Sequence, residues 1–539
     1  MFNHLQVLDE KVVKNRSKPL FKLPKGAGKS SLKEWDSVSY ETFGSDVNSA
    51  AKHVWSLLSA QNMRPGEVVG VWVKGDKYED IVTIVALSRA GYVPQLISIC
   101  LEAPEAVNSL LSRGGVKVLI YDDDLLEEPA KILVHSIPTS TLKRDSGHPG
   151  HRLESLPDVD LPSISTNPDD PAFIIHTSGS SGAGPKLVWW SNRWVDSAFQ
   201  KSSDFATNGP SQDVWPIGGK LCHISGLCQY FSMLYNDACM LLQPGAGISA
   251  DVMEDFFEYG GINCLFIMVP RLRNIIQAAR DPHNPSLLKK IQNLRLIITS
   301  GSPLHEDEAA WCHANHIPLV VGLLLNCRKF DHPNHLQGVP GVSYRFLPFL
   351  DEDRGLGLDR DENDEQLYEF VVLPDSPEVP DRSLWKDEGW YGTGDIFEEV
   401  GPDTYVYRGR KEEWIVNDNG ERCDTKIIED ELRKSCPDLI HDCIVVGNNR
   451  PSASVIVESH LATIDACHDE VKTTILDRTK DFNNRRQWHE RVAHRALIHV
   501  VGPETLPRTG AKGNIRRMMT EQTFARELDH MYSQVYPVS

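Results

Sequence analysis

Apolar side chains recur at helical spacing through Ala50, Ala51, Val54, Trp55 and Leu58, which predicts an amphipathic helix over residues 39–58. A nearly continuous apolar run at 66–73 then reads as a buried strand. The alternation continues with helix 78–91, strand 92–99, helix 104–113 and strand 116–121. Strands separated by helices need crossover connections, so the sheet they build is largely parallel. Residues 135–171 are rich in Pro, Ser, Asp and His without a sustained period and read as a surface connection. A short apolar strand at 171–175 opens a second series: helix 193–206, a strand near Val214, helix 227–235, strand 238–242, helix 250–259, strand 264–269, helix 270–279 and strand 294–298. One doubly wound α/β architecture covers both series, with no repeat of solenoid length.

The texture then changes. Residues 351–365 are dense in acidic side chains and glycine and read as a solvated loop, and 367–373 alternate into a strand. Beyond Lys411 come short strands, a charged helix over 427–434 and an apolar run at 443–447. The expected boundary lies at 410–412, giving a large N-terminal domain of mixed sheets (1–410) and a small α+β C-terminal domain (411–539).

A length of 539 residues exceeds what one core serves. The excess of 75 acidic over 56 basic side chains, a net charge of −19, argues against a nucleic-acid partner. Eleven cysteines, an odd number without a CxxC pair, read as reduced core thiols. The first thirty residues contain no apolar signal core, and no stretch has the length of a membrane span, so a cytoplasmic protein is expected.

The candidate chemistry centres on His176-Thr177-Ser178-Gly179-Ser180-Ser181-Gly182-Ala183-Gly184-Pro185-Lys186, directly after an apolar strand. Glycines allow backbone amides to approach an anion, hydroxyls donate further hydrogen bonds, and the lysine adds charge, so the loop suits phosphates. Lys186 is followed by Leu187 rather than Ser or Thr, which excludes a Walker A loop. Taken alone, the stretch also fits a flexible Gly/Ser loop with one surface lysine. Cys312, His313, His316, His332 and His335 lie close in sequence, but their spacing matches no zinc pattern, and no metal centre is expected from them.

Further landmarks follow in order: Leu221-Cys222-His223-Ile224-Ser225-Gly226, Leu367-Tyr368-Glu369-Phe370, Trp390-Tyr391-Gly392-Thr393-Gly394-Asp395, Arg410-Lys411 and Arg508-Thr509-Gly510-Ala511-Lys512-Gly513. With the phosphate loop, they resemble the adenylate-forming enzymes: acyl-CoA synthetases, nonribosomal peptide synthetase adenylation domains and firefly luciferases. The wording is most similar to fungal adenylation domains fused to reductases. That resemblance implies a large N-terminal domain and a small mobile C-terminal one.

It also implies residue roles. Thr177, Ser178, Gly179, Ser180, Ser181, Gly182 and Lys186 would hold the β- and γ-phosphates of ATP while a carboxylate attacks the α-phosphate. Asp395 would accept hydrogen bonds from the ribose hydroxyls, Arg410 would touch the same ribose, and Lys411 would be the hinge. Lys512 would bridge the attacking carboxylate and the α-phosphate. His223 matches an aromatic position that approaches the acyl carbonyl, although a lone histidine is more often a satisfied core residue. Ile224 stands where amino-acid-activating relatives often place an aspartate, which implies an aryl, keto or aliphatic acid rather than an α-amino acid.

Two departures stand out. The phosphate loop carries one extra residue before Pro185-Lys186, and the family's Tyr-Gly-x-Thr-Glu is replaced by Leu323, Asn326 and Cys327 at its key positions. Asn326 can donate to a phosphate, whereas a cysteine is a poor ligand for Mg²⁺. The expectation is an ATP- and Mg²⁺-dependent enzyme that forms an acyl-AMP from a small carboxylic acid and passes the acyl group to a thiol, with coenzyme A preferred. The chain stops soon after Lys512, leaving no room for an appended carrier or reductase domain. The alternatives are loading the phosphopantetheine of a separate carrier protein, or a degenerate, non-catalytic nucleotide binder.

Overall fold

The computed structural model describes residues 3–25, 32–99, 101, 104–125, 131–142, 159–176, 186–203, 211–217, 219–242, 250–282, 285–300, 304, 306–321, 335–338, 341–348, 367–385, 389–411, 414–418, 422–460, 468–508 and 515–536. The fold is mixed α/β, with a large N-terminal domain of several sheets and a smaller C-terminal domain.

The first series of strands forms a six-stranded sheet in the order His135–Pro138, Val118–Tyr121, Val68–Trp72, Val93–Leu96, Pro171–His176 and Leu187–Ser191. All neighbours are parallel except the last pair, which is antiparallel. Helices on the faces bury the inner strands, so Val93–Leu96 and Val118–Tyr121 are covered at every residue. Strand His135–Pro138 corrects the expectation of a plain connection over 135–171. Its four residues are too short to carry a period, and only the ladder with Val118–Tyr121 specifies them.

The N-terminus adds elements that the pattern did not announce. Helix His4–Lys14 is capped by Asn3, whose side chain accepts from the Leu5 and Gln6 amides while Gln6 returns a bond to the Asn3 amide. His4 is buried against Phe173, with ring centroids 4.8 Å apart, and burial first, then the charge of Arg89, lowers its pKa to about 3, so the imidazole is neutral. Strand Pro19–Pro24 lies between Trp35–Ser39 and Cys239–Leu241 in a second sheet, pairing antiparallel with the first and parallel with the second.

Cys264–Met268, Leu296–Ser300 and Leu319–Val321 form a small parallel sheet. The helix expected at 250–259 runs as Ala250–Asp255 and continues as a π-turn, Phe256–Gly260, that ends where Gly261 takes φ 67°. A five-stranded antiparallel sheet follows, ordered His335–Leu336, Thr404–Arg410, Tyr391–Gly401, Leu367–Val372, Tyr344–Pro348. In the C-terminal region Ile440–Val446, Ser454–Ser459 and Ile498–Val501 form a sheet packed by helices Thr425–Ser435, His468–Arg485 and Ala525–Val535, with a core cluster of its own. The eight described cysteines are all free thiols, and seven of them are buried.

Candidate functional site

Asp395 is presented by a bulge. Strand Tyr391–Gly401 pairs with Leu367–Val372 so that Gly392 faces Val371 and Ile396 faces Glu369, which leaves Thr393, Gly394 and Asp395 together opposite Phe370. Gly394 absorbs the detour with φ 76°. Thr393 rebuilds the interrupted ladder: its Oγ1 donates to the Phe370 carbonyl at 2.7 Å and accepts from the Asp395 amide at 3.1 Å. On the other side Asp395 is the ladder partner of Arg410, and the Arg410 Nη1 lies 3.2 Å from the Asp395 Oδ1. The carboxylate side chain is 25% exposed, so the bulge holds an acceptor beside a cation within reach of solvent. That combination suits a pair of vicinal hydroxyls, because a carboxylate accepts at both oxygens.

The next residue, Lys411, pairs with Glu369 at 3.2 Å. Trp414 donates its indole N–H to the Arg408 carbonyl at 3.3 Å. Asp424 caps helix Thr425–Ser435 by accepting from the Lys426 and Ile427 amides. Burial pushes its carboxyl up to about 6, against the opposing pull of those hydrogen bonds and of the Arg408 charge.

A second group gathers beyond the carboxyl ends of the parallel strands, where α/β sheets place their ligands. The antiparallel pair Pro171–His176 and Leu187–Ser191 has His176 opposite Leu187 as its last rung, so the glycine-rich segment connects two neighbouring strand ends. His176 Nε2 accepts from the Ser98 amide at 2.9 Å, which assigns a neutral ring with its proton on Nδ1. Lys186 is exposed and directly precedes its strand.

His223 is the N-cap of helix Ile224–Tyr235: its Nδ1 accepts from the Ser225 amide at 3.3 Å. The segment leading to it is clamped to the end of strand Val68–Trp72. Leu221 donates to the Gly75 carbonyl at 2.9 Å, the Cys222 thiol donates to the Val73 carbonyl at 3.2 Å, and Asp80 accepts from the Gly75 amide at 2.8 Å. Burial raises the Asp80 carboxyl to about 6 and the Cys222 thiol to about 12, so the cysteine is a neutral packing group.

Of the residues singled out in the sequence, His223, Lys186, Asp395 and Arg410 are placed as above. Thr177, Ser178, Gly179, Ser180, Ser181, Gly182, Asn326 and Lys512 lie outside the described residues, as do Leu323 and Cys327. Sequence reasoning quoted His176 and Glu369 within motifs but gave them no role, and it passed over Asp80 and Gly75. Glu369 had a signal, being an acidic residue in the middle of an otherwise apolar and aromatic strand.

A family model described as AMP-binding enzyme matches residues 10–323, and one described as AMP-binding enzyme C-terminal domain matches 412–536. The AMP-binding domain-containing enzyme iboA of Amanita muscaria (strain Koide BX008) is 31% identical over 529 residues, spanning 94% of this chain and 98% of that protein. Among solved structures, the adenylation domain of a carboxylate reductase from Mycobacterium chelonae aligns with a TM-score of 0.72 at 15% identity, covering 99% of this chain and 91% of that one. The o-succinylbenzoate coenzyme A synthetase of Bacillus subtilis, solved with ATP and magnesium ion, aligns with a TM-score of 0.68 at 17% identity, covering 96% and 99%. At these identities the structures share the fold.

Proposed function

Since this chain belongs to the AMP-binding enzymes, we propose how its residues divide the work of activating an acid. The reaction class is adenylate-forming: a carboxylate oxygen attacks the α-phosphorus of ATP, the bond to pyrophosphate breaks, and acyl-AMP results. Asp395 and Arg410 hold the ribose, and the observation that carries this is the bulge that sets a partly open carboxylate 3.2 Å from a guanidinium. The segment containing Thr177, Ser178, Gly179, Ser180, Ser181, Gly182 and Lys186 holds the β- and γ-phosphates, with Asn326 donating to phosphate. Lys512 stabilises charge on the attacking carboxylate and α-phosphate. Mg²⁺ accompanies ATP and supplies charge neutralisation. The Cys327 thiol is a poor donor to so hard a cation, so phosphate oxygens and water are its fitting ligands.

In the second half-reaction a thiol attacks the acyl carbon and AMP leaves. Coenzyme A is the proposed acceptor and the phosphopantetheine of a separate carrier protein the alternative. The chain divides at 410/411, and the C-terminal domain turns about Lys411 between the steps. His223, fixed as a helix cap, faces the acyl group. Ile224, the first residue of that helix, offers no charge to a substrate ammonium, which supports an aryl, keto or aliphatic acid. Buried free thiols support a reducing compartment, the cytoplasm.

The test is acid-dependent ATP–pyrophosphate exchange with Mg²⁺ over a panel of acids, followed by coenzyme A to look for a thioester. Exchange with at least one non-amino acid is expected. No exchange from folded protein on any acid overturns the enzyme reading in favour of a nucleotide binder. Asp395→Ala is expected to lower kcat/KM for ATP by about 10- to 100-fold, the worth of one or two charge-assisted hydrogen bonds. Lys512→Ala is expected to abolish most exchange while sparing thioester formation from supplied acyl-AMP.

A further inference from the structure

Glu369 sits mid-strand, opposite Ile396, at the edge of the bulge that carries Asp395. Two contacts define it. Its Oε2 is 3.2 Å from the Lys411 Nζ, and its Oε1 lies so near the Cα of Gly392 that a Cβ there would come within 2.9 Å. The carboxylate therefore rests on the last paired residue before the bulge, in space that only a glycine leaves open, while its charge is met by the residue directly after Arg410. The Glu369 side chain is 17% exposed and that of Lys411 is 42% exposed, so the acid is the sheltered partner and the lysine the reaching one.

We infer that Glu369 is a positioning residue that ties the side chain of Lys411 back to the ribose-binding bulge and so favours whichever domain orientation keeps that contact. The inference rests on the two-step reading above. Rotating the backbone about φ of residue 411 swings its side chain away from the strand, so the ion pair is made in one orientation and broken in the other. A contact with that differential shifts the balance between the orientations, and with it the ratio of the two half-reactions. Gly392 and Glu369 also give the bulge and the hinge a shared contact, so a ligand that orders the bulge bears on the hinge through one carboxylate.

The experiment uses the full chain with Glu369→Gln, Lys411→Met, the double variant, and the charge swap Glu369→Lys with Lys411→Glu. Pyrophosphate exchange and thioester formation from supplied acyl-AMP are measured separately. Tryptic cleavage after Lys411 is followed in native protein and in Glu369→Gln without substrates. Glu369→Gln is expected to change the ratio of the half-reactions by about two- to fivefold, the shift that one half-exposed ion pair allows. Lys411→Met should shift it the same way, the double variant no further, and the charge swap should return it toward the native ratio. Cleavage after Lys411 should quicken in Glu369→Gln. An unchanged ratio with unchanged cleavage overturns the inference, and so does a shift that adds in the double variant. Absence of exchange in the native chain would instead sink the function, leaving the cleavage arm to decide on the tether.

Discussion

Gly226→Ala tests whether the clamp around His223 matters. Gly226 is buried in the first turn of helix Ile224–Tyr235, and a Cβ built on it lies 2.9 Å from the Gly219 carbonyl carbon and closer still to the Lys220 carbonyl. Carbon atoms pack at about 3.5–4.0 Å, and the Lys220 carbonyl is the nearest obstacle, so the segment before His223 must retreat by roughly 1 Å or more. The Leu221 bond to Gly75 at 2.9 Å and the Cys222 bond to Val73 at 3.2 Å are what anchor that segment. Stretching both, at about 0.5–1.5 kcal/mol each, and adding the overpacking term of about 1–3 kcal/mol gives a destabilisation of roughly 2–6 kcal/mol. Since a displacement near 1 Å at reacting groups costs up to about 100-fold, kcat should fall by about 10- to 100-fold with KM for ATP little changed. Thermal melts and the separate half-reaction rates read both effects. Gly401→Ala is the control, because its nearest neighbour to a new Cβ is the Thr404 Cβ at 3.8 Å. A native melt with kcat within about twofold of native for Gly226→Ala would refute the argument.

Two further changes probe the C-terminal domain. The folded-state pKa of Asp424, about 6, lies above its ordinary 3.8, so the fold favours the protonated acid. The cost of ionising it is fully present above pH 6 and disappears as the pH falls toward 4. Asp424→Asn, which keeps an oxygen for the Lys426 and Ile427 amides, should therefore raise stability at pH 7.5 by up to about 3 kcal/mol and lose the advantage near pH 4. Denaturation at both pH values checks this, and no gain at pH 7.5 contradicts it. Tyr532→Phe removes a buried hydroxyl that donates to the Ser452 carbonyl at 2.6 Å and meets the Ser454 hydroxyl at 3.0 Å. Urea unfolding should show a loss of about 1–3 kcal/mol, and a loss below about 0.5 kcal/mol would contradict it.

What could be read in advance follows the range of the forces involved. The helix expected at 39–58 is Tyr40–Ser59, and the strand expected at 116–121 is Val118–Tyr121, because each carries its own apolar period. Helix His4–Lys14 left a local trace in Asn3 and Gln6, its capping box. Strands Pro19–Pro24 and His135–Pro138 left none, since proline at their ends breaks the pattern and distant partners specify them. The candidate site divides the same way. Asp395 and Arg410 stand in linear motifs, but their approach, the three-residue bulge and the Glu369 contact to Lys411 arise only from strand register.

The place of strand Pro19–Pro24 bears on how the protein is made. Its inner neighbour is Cys239–Leu241, and the helix before it is fastened by Lys11 and Asn15 to Asp237, at 2.6 and 2.8 Å. None of these partners exists until more than two hundred further residues have left the ribosome, on the order of ten seconds or more at ordinary rates of synthesis. Throughout that wait one edge of the strand has no permanent neighbour and is available to other nascent chains. The prolines at its two ends withhold an N–H at each, shortening the edge that a stranger can zip onto. Replacing them would be felt first as aggregation during expression rather than as lost activity in the finished enzyme.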